Sequence, residues 1–153
     1  MSLITVGQEA PDFTAPTDTG ALLTLSSLRG RPVILYFYPK DDTPGCTTEA
    51  CGFRDAFPAF EGATVLGVSK DSVKRHASFK AKYGLPFTLV SDESAGICEA
   101  YGAFGEKTLY GKKYMGIHRV TVLIGADGIV KATWPKVDVK SHAATVSGAL
   151  AAL

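Results

Sequence analysis

One run of residues constrains this chain more than any other. Pro32-Val33-Ile34-Leu35-Tyr36-Phe37-Tyr38 is continuously apolar and β-rich, without the alternation of a half-buried strand. Such a run fits a strand covered on both faces, and strands of that kind belong to parallel sheets flanked by helices. It is followed at once by Pro39-Lys40-Asp41-Asp42-Thr43-Pro44-Gly45-Cys46, a polar, proline-punctuated loop that enters a helix. The place where a strand ends and a helix begins is where open α/β sheets bind their ligands. The expectation is therefore an α/β fold with its chemistry just after its central strand.

The remaining pattern extends this into an alternation. Asp18-Thr19-Gly20 before Ala21-Leu22-Leu23-Thr24-Leu25 suggests a short N-terminal hairpin. A helix is predicted from Thr43 through Phe53 and Phe57, ending where Pro58 removes a backbone donor. Ala63 to Val68 reads as a second buried strand, and Val73, His76, Phe79, Ala81 and Tyr83 fall in a helix that Gly84 can close as a left-handed cap. Phe87 to Val90 is a third strand. A short helix from Ser94 to Tyr101 follows, with Ile97 and Tyr101 on one face, and the glycine-rich stretch after it reads as loop. Arg119–Ile124 and Ile129–Trp134 flank Gly125-Ala126-Asp127-Gly128, the signature of an antiparallel hairpin. Val146, Leu150 and Leu153 lie at helical spacing in a final helix from Val139 to Leu153. This order gives a central mixed sheet flanked by helices, parallel with an antiparallel edge. A thioredoxin-like sandwich fits it, and so do other α/β folds. With 153 residues, no repeat and no long linker, residues 1–153 are expected to form a single domain.

Charge and motif content narrow the function. The 16 basic and 15 acidic side chains nearly cancel and are scattered, which argues against a nucleic-acid or membrane-surface partner. No apolar run approaches the roughly 20 residues that span a bilayer, and the N-terminus lacks the pattern of a signal peptide, so a cytoplasmic address is expected. His76, His118 and His142 show no metal-ligand spacing with one another or with the cysteines, and neither phosphate-binding glycine fingerprint occurs. No metal or cofactor is expected, and catalysis falls to side chains. An odd count of cysteines, three, does not read as a disulfide framework. At least one thiol is left for chemistry.

Cys46 is the candidate. Thr43 suits an N-cap and Pro44 the first helical position, which puts Cys46 at the third. In the first turn, unpaired N–H groups and the helix dipole favour the thiolate, the nucleophilic form. Free cysteine is also a common small core residue, but the polar loop before Cys46 argues for reactivity. Cys51 lies five residues on. In a continuous helix the two Cα atoms would stand about 8.6 Å apart on different faces, whereas a disulfide requires less than about 7 Å. Cys51 is either an inert core thiol or a resolving thiol that demands local unwinding.

Pro39, Thr43 and Cys46 match the Pro-x-x-x-Thr-x-x-Cys motif of peroxiredoxins, and Ala10-Pro11-Asp12-Phe13 resembles their opening segment. The longer string from Tyr36 to Cys51 resembles the bacterioferritin comigratory protein (PrxQ) subfamily. The likeness continues through Ser91-Asp92-Glu93, Gly105-Glu106-Lys107 and Gly116-Ile117-His118-Arg119, over nearly the whole chain. The resemblance implies a thiol peroxidase of thioredoxin-like fold that reduces hydrogen peroxide and organic hydroperoxides. It implies Cys46 as the peroxidatic cysteine, shielded by Pro39, hydrogen-bonded by Thr43 and assisted by the positive charge of Arg119. It further implies resolution by Cys51 as an intramolecular disulfide, thioredoxin or glutaredoxin as reductant, no bound cofactor, and a monomer. Cys98 is then expected to be a structural thiol, with a resolving role as the alternative, and Glu49 and Arg54 to lie on a solvated helix face, the alternative for Glu49, three positions from Cys46, being to face the same site. Two rival functions are a thiol–disulfide oxidoreductase, against which the four-residue gap between Cys46 and Cys51 counts, and a redox sensor or thiol-dependent binding module.

Overall fold

The computed structural model describes residues 3–153. A short antiparallel hairpin opens it: β1, Thr14–Pro16, pairs with β2, Leu22–Thr24, across the expected Asp18-Thr19-Gly20 turn. The apolar run becomes β3, Val33–Phe37, with every residue buried. Two parallel neighbours follow on one side, β4 at Thr64–Ser69 and β5 at Thr88–Ser91. On the other side β8, Val120–Ile124, and β9, Val130–Trp134, pair antiparallel. The sheet order β5-β4-β3-β8-β9 puts β3 at the centre, which is why it reads as apolar on both faces.

The alternation of side chains along β3 divides the core in two. Val33, Leu35 and Phe37 face a cluster with Ala15 of β1 and with Ile97, Cys98 and Tyr101. Ile34, Tyr36 and Tyr38 face Cys46, Ala50, Phe53, Phe79 and Val146, contributed by three helices. These helices are α1 (Pro44–Asp55), α2 (Val73–Tyr83) and α4 (His142–Ala151), while α3 (Gly96–Ala100) lies on the opposite layer. The α2 helix is framed as its sequence demands. The Ser72 side chain accepts from the Arg75 N–H, and Gly84 takes the left-handed conformation at φ 61°.

Several expectations need correction. The stretch after α3 is not loop but a second hairpin, β6 (Phe104–Leu109) with β7 (Lys112–Ile117). This ribbon pairs only with itself and is largely exposed, so it carries no apolar pattern to read. Its one signal is Tyr110-Gly111, whose φ values of 50° and 77° are those of a two-residue primed turn. Helix α1 stops at Asp55 and not at Phe57, since Pro58 has no N–H to offer the Arg54 carbonyl, and Phe57–Phe60 form a separate 3₁₀ turn. The last helix is shorter than expected: Val146 is buried, but Leu153 is exposed beyond its end. Among the described residues no helix is long and apolar enough to cross a membrane.

Candidate active site

Cys46 sits at the third position of α1 and is 1% exposed. The Thr43 carbonyl accepts the first helical bond, from the Thr47 N–H at 2.8 Å, so Thr43 occupies the N-cap position as its residue type suggests. Its hydroxyl does not cap. Thr43 Oγ1 donates instead to the Lys40 carbonyl at 2.8 Å, and no side chain caps the first turn of α1. The hydroxyl is drawn to the loop that precedes the helix, and the helix start is left open to an anion. Pro39 ends the central strand's extension, is half-buried, and stands before the same loop.

Arg119, immediately before β8, reaches across this opening. Its Nη2 lies 3.2 Å from Cys46 Sγ, and its Nη1 donates to Glu49 Oε1 at 3.0 Å. The close approach depends on Gly45, because a Cβ there would stand 2.7 Å from Nη2. The antiparallel pairing of β8 with β3 aligns Val120 with Phe37, which carries Arg119 to the end of the strand that leads into the Cys46 loop.

Glu49 overturns an expectation. It is not on a solvated face but 1% exposed, one helical turn from Cys46, and among the described residues its Oε2 has no hydrogen-bond partner. Burial drives its carboxyl up to about 7, while the charge and hydrogen bond of Arg119 pull it down less strongly. Arg54, half-exposed, donates to the Tyr83 carbonyl at 2.8 Å and to Asp55 at 2.9 Å, closing the end of α2. The unforeseen β6–β7 hairpin adds Lys107, whose ammonium donates to the Ile117 carbonyl at 2.8 Å. Burial first, and then the field of Arg119, lower its proton affinity, so a second cation stands near the first.

The other two cysteines are not at this centre. Cys51 is half-buried further along the unbroken α1, whose helical geometry holds the two Cα atoms beyond the reach of a disulfide. Cys98 is fully buried, and burial together with the adjacent Asp92 pushes its thiol far above the ordinary range. It is an inert neutral thiol in this state. The structure also assembles what sequence spacing did not reveal: Asp41, Asp71 and His76 converge beneath the Cys46 loop.

The match to known proteins follows this geometry. Residues 6–133 match the AhpC/TSA family. The chain belongs to that family. A Bcp peroxiredoxin of Coxiella burnetii is 59% identical over 149 residues, covering 96% of this chain and 99% of that protein. The solved structure of a cysteine-to-serine variant of PrxQ from Xylella fastidiosa superposes with a TM-score of 0.92 at 41% identity, covering 99% of this chain and 98% of that one. The Xanthomonas campestris bacterioferritin comigratory protein, studied for its alkyl peroxide reduction activity, matches with a TM-score of 0.87 at 44% identity, covering 92% and 90% of the two chains. Within the family the chain falls in the Bcp/PrxQ peroxiredoxin group, and its fold is thioredoxin-like.

Proposed function

We propose that this chain is a cysteine peroxidase that reduces hydrogen peroxide and organic hydroperoxides at Cys46. The observation that carries the reading is the Arg119 guanidinium 3.2 Å from a cysteine sulfur in an uncapped first helical turn. An arginine stays protonated at any working pH, so it favours the thiolate, and it faces the place where charge develops as the O–O bond breaks. Cys46 thiolate attacks the terminal peroxide oxygen. The O–O bond breaks, Cys46 becomes a sulfenic acid, and the departing alkoxide or hydroxide takes a proton and leaves as alcohol or water. Thr43 already spends its hydrogen on Lys40, so its free lone pairs suit it to accept a hydrogen bond from the peroxide O–H. Pro39 shields the sulfur from bulk water. The Cys51 thiolate then attacks the sulfenic sulfur and the S–O bond breaks, the departing hydroxide taking a proton from solvent to leave as water; the resulting Cys46–Cys51 disulfide is reduced by a dithiol protein of the thioredoxin or glutaredoxin kind.

A cytoplasmic monomer without a bound cofactor completes the reading, since reduced dithiol carriers are maintained in that compartment. The test is peroxide-dependent NADPH oxidation through thioredoxin reductase and thioredoxin, with wild type and Cys46→Ser. Turnover is expected to vanish in the serine variant while the fold is kept, because a neutral hydroxyl is a poor nucleophile. Retained turnover would sink the assignment of Cys46.

A further inference from the structure

Between β3 and α1 the chain turns through residues 38–43, and this turn is tied to α2. Asp41, 2% exposed, accepts from Tyr38 Oη at 2.5 Å and faces His76 Nδ1 at 2.6 Å. Its own N–H donates to Asp71 Oδ2 at 2.9 Å, and Asp71 also accepts from Ser69 Oγ and Arg75 Nε. The next residue, Asp42, sits in the left-handed region at φ 59° without being a glycine. Lys82 Nζ at 2.8 Å and Tyr83 Oη at 2.9 Å hold its carboxylate. Every one of these anchors except Tyr38 and Ser69 comes from α2 or the residues just before it.

The buried pair has a fixed proton logic. His76 is fully buried, and its Nε2 lies 2.9 Å from the Val90 carbonyl, which can only accept, so Nε2 carries a hydrogen. Nδ1 and Asp41 Oδ2 must then share one further proton, or two lone pairs would face each other out of reach of water. A left-handed non-glycine residue is strained and persists only where its surroundings over-determine it. Only Thr43 separates Asp42 from the first residue of α1, so a relaxed turn would be passed on to Cys46.

We propose that Asp41 and His76 are positioning residues for Cys46: as a proton-sharing latch they pin the strained turn on α2, and so set where Thr43 and the first turn of α1 stand against Arg119. The latch rests on the peroxidase reading only for its rate readout. It is tested by two measurements on each variant, alkylation of Cys46 by iodoacetamide at fixed pH, mapped by mass, and single-turnover oxidation by hydrogen peroxide. Thermal unfolding monitors the fold. Asp41→Ala, and His76→Leu, which refills the buried volume, are expected to slow both reactions by at least about tenfold. Asp41→Asn is expected to restore rates close to wild type. Its amide can donate to Nδ1 of a neutral His76 and its carbonyl can accept from Tyr38, which preserves the ties without the shared proton. The double variant Asp41→Ala/His76→Leu should be no slower than the worse single, as for residues that act as a unit.

Wild-type rates in folded Asp41→Ala and His76→Leu would overturn the latch, as would an Asp41→Asn variant as slow as Asp41→Ala. Losses that multiply in the double would also do so. If Asp41→Ala does not fold, His76→Leu and Asp41→Asn still decide between these outcomes. A wild type that consumed no peroxide would remove the peroxidase reading alone, since alkylation would still report on the latch.

Discussion

Replacing Glu49 with glutamine measures what its burial costs. The carboxyl is 1% exposed, with Oε1 on Arg119 and Oε2 unpartnered, and desolvation outweighs Arg119 in raising it from 4.5 to about 7. Between these values the unfolded chain has lost the proton that the folded chain keeps, so stability falls as pH rises through this window. Below 4.5 both states are protonated and the group costs nothing. Taking about 1.4 kcal/mol for each pH unit over which the two states differ, the cost accumulated from pH 5 to pH 8 is about 2–3 kcal/mol. Glutamine keeps the shape and the acceptor for Arg119 but cannot ionise. Urea unfolding of the two chains at both pH values, under reducing conditions and in a Cys46→Ser background, isolates the carboxyl from the sulfur that shares Arg119. The advantage of Glu49→Gln over the parent is expected to grow by about 2–3 kcal/mol between pH 5 and pH 8. A difference that stays constant would show that the folded carboxyl titrates normally. One that shrinks would show that the Arg119 pair outweighs burial, and either result refutes the reasoning.

Two further outcomes follow from the same geometry. Gly45→Ala should leave the fold intact but slow the reaction of Cys46 with peroxide by about 10- to 100-fold, since the added methyl would stand 2.7 Å from Arg119 Nη2 and force the guanidinium away from the sulfur; an unchanged single-turnover rate would contradict this. Cys51→Ser should still consume one equivalent of peroxide, accumulate sulfenic acid and lose thioredoxin-dependent turnover, while oxidised wild type should yield a Cys46–Cys51 disulfide by peptide mapping and faster hydrogen exchange across residues 46–55. Normal turnover of Cys51→Ser, or a mapped Cys46–Cys98 disulfide, would make Cys51 a core thiol.

What could be read in advance follows from where each signal is written. β3 was legible because a strand buried on both faces leaves a contiguous trace, and α2 because its apolar residues fall at helical spacing before the Gly84 cap, whereas its N-cap, Ser72, shows only in the structure. The β8–β9 hairpin was legible through its Asp-Gly turn. The β6–β7 ribbon was not, because exposed strands that pair only with each other need no apolar alternation, and a single Tyr-Gly pair is slight evidence. Pro39, Thr43 and Cys46 lie within eight consecutive residues, so grouping them needed no knowledge of the fold.

The polar core behaves differently, and the difference is physical. Arg119 meets Cys46 across 73 positions of chain, and His76 meets Asp41 across 35. Taken one at a time, such charged and polar residues are mostly surface residues. By that rule solvent is the favoured place for Glu49, and no spacing pairs Asp41 with His76. Only the pairing of β3 with β4 and β8 brings the partners within reach and makes burial tolerable, because each group then finds a hydrogen bond that offsets most of its lost hydration. Among the described residues Tyr36 Oη and Glu49 Oε2 are the exceptions that stay unpaired. One of the two failures of a general rule about polar burial thus lies within one helical turn of Cys46, the proposed nucleophile, where a carboxyl held out of water keeps Arg119 oriented between itself and the sulfur.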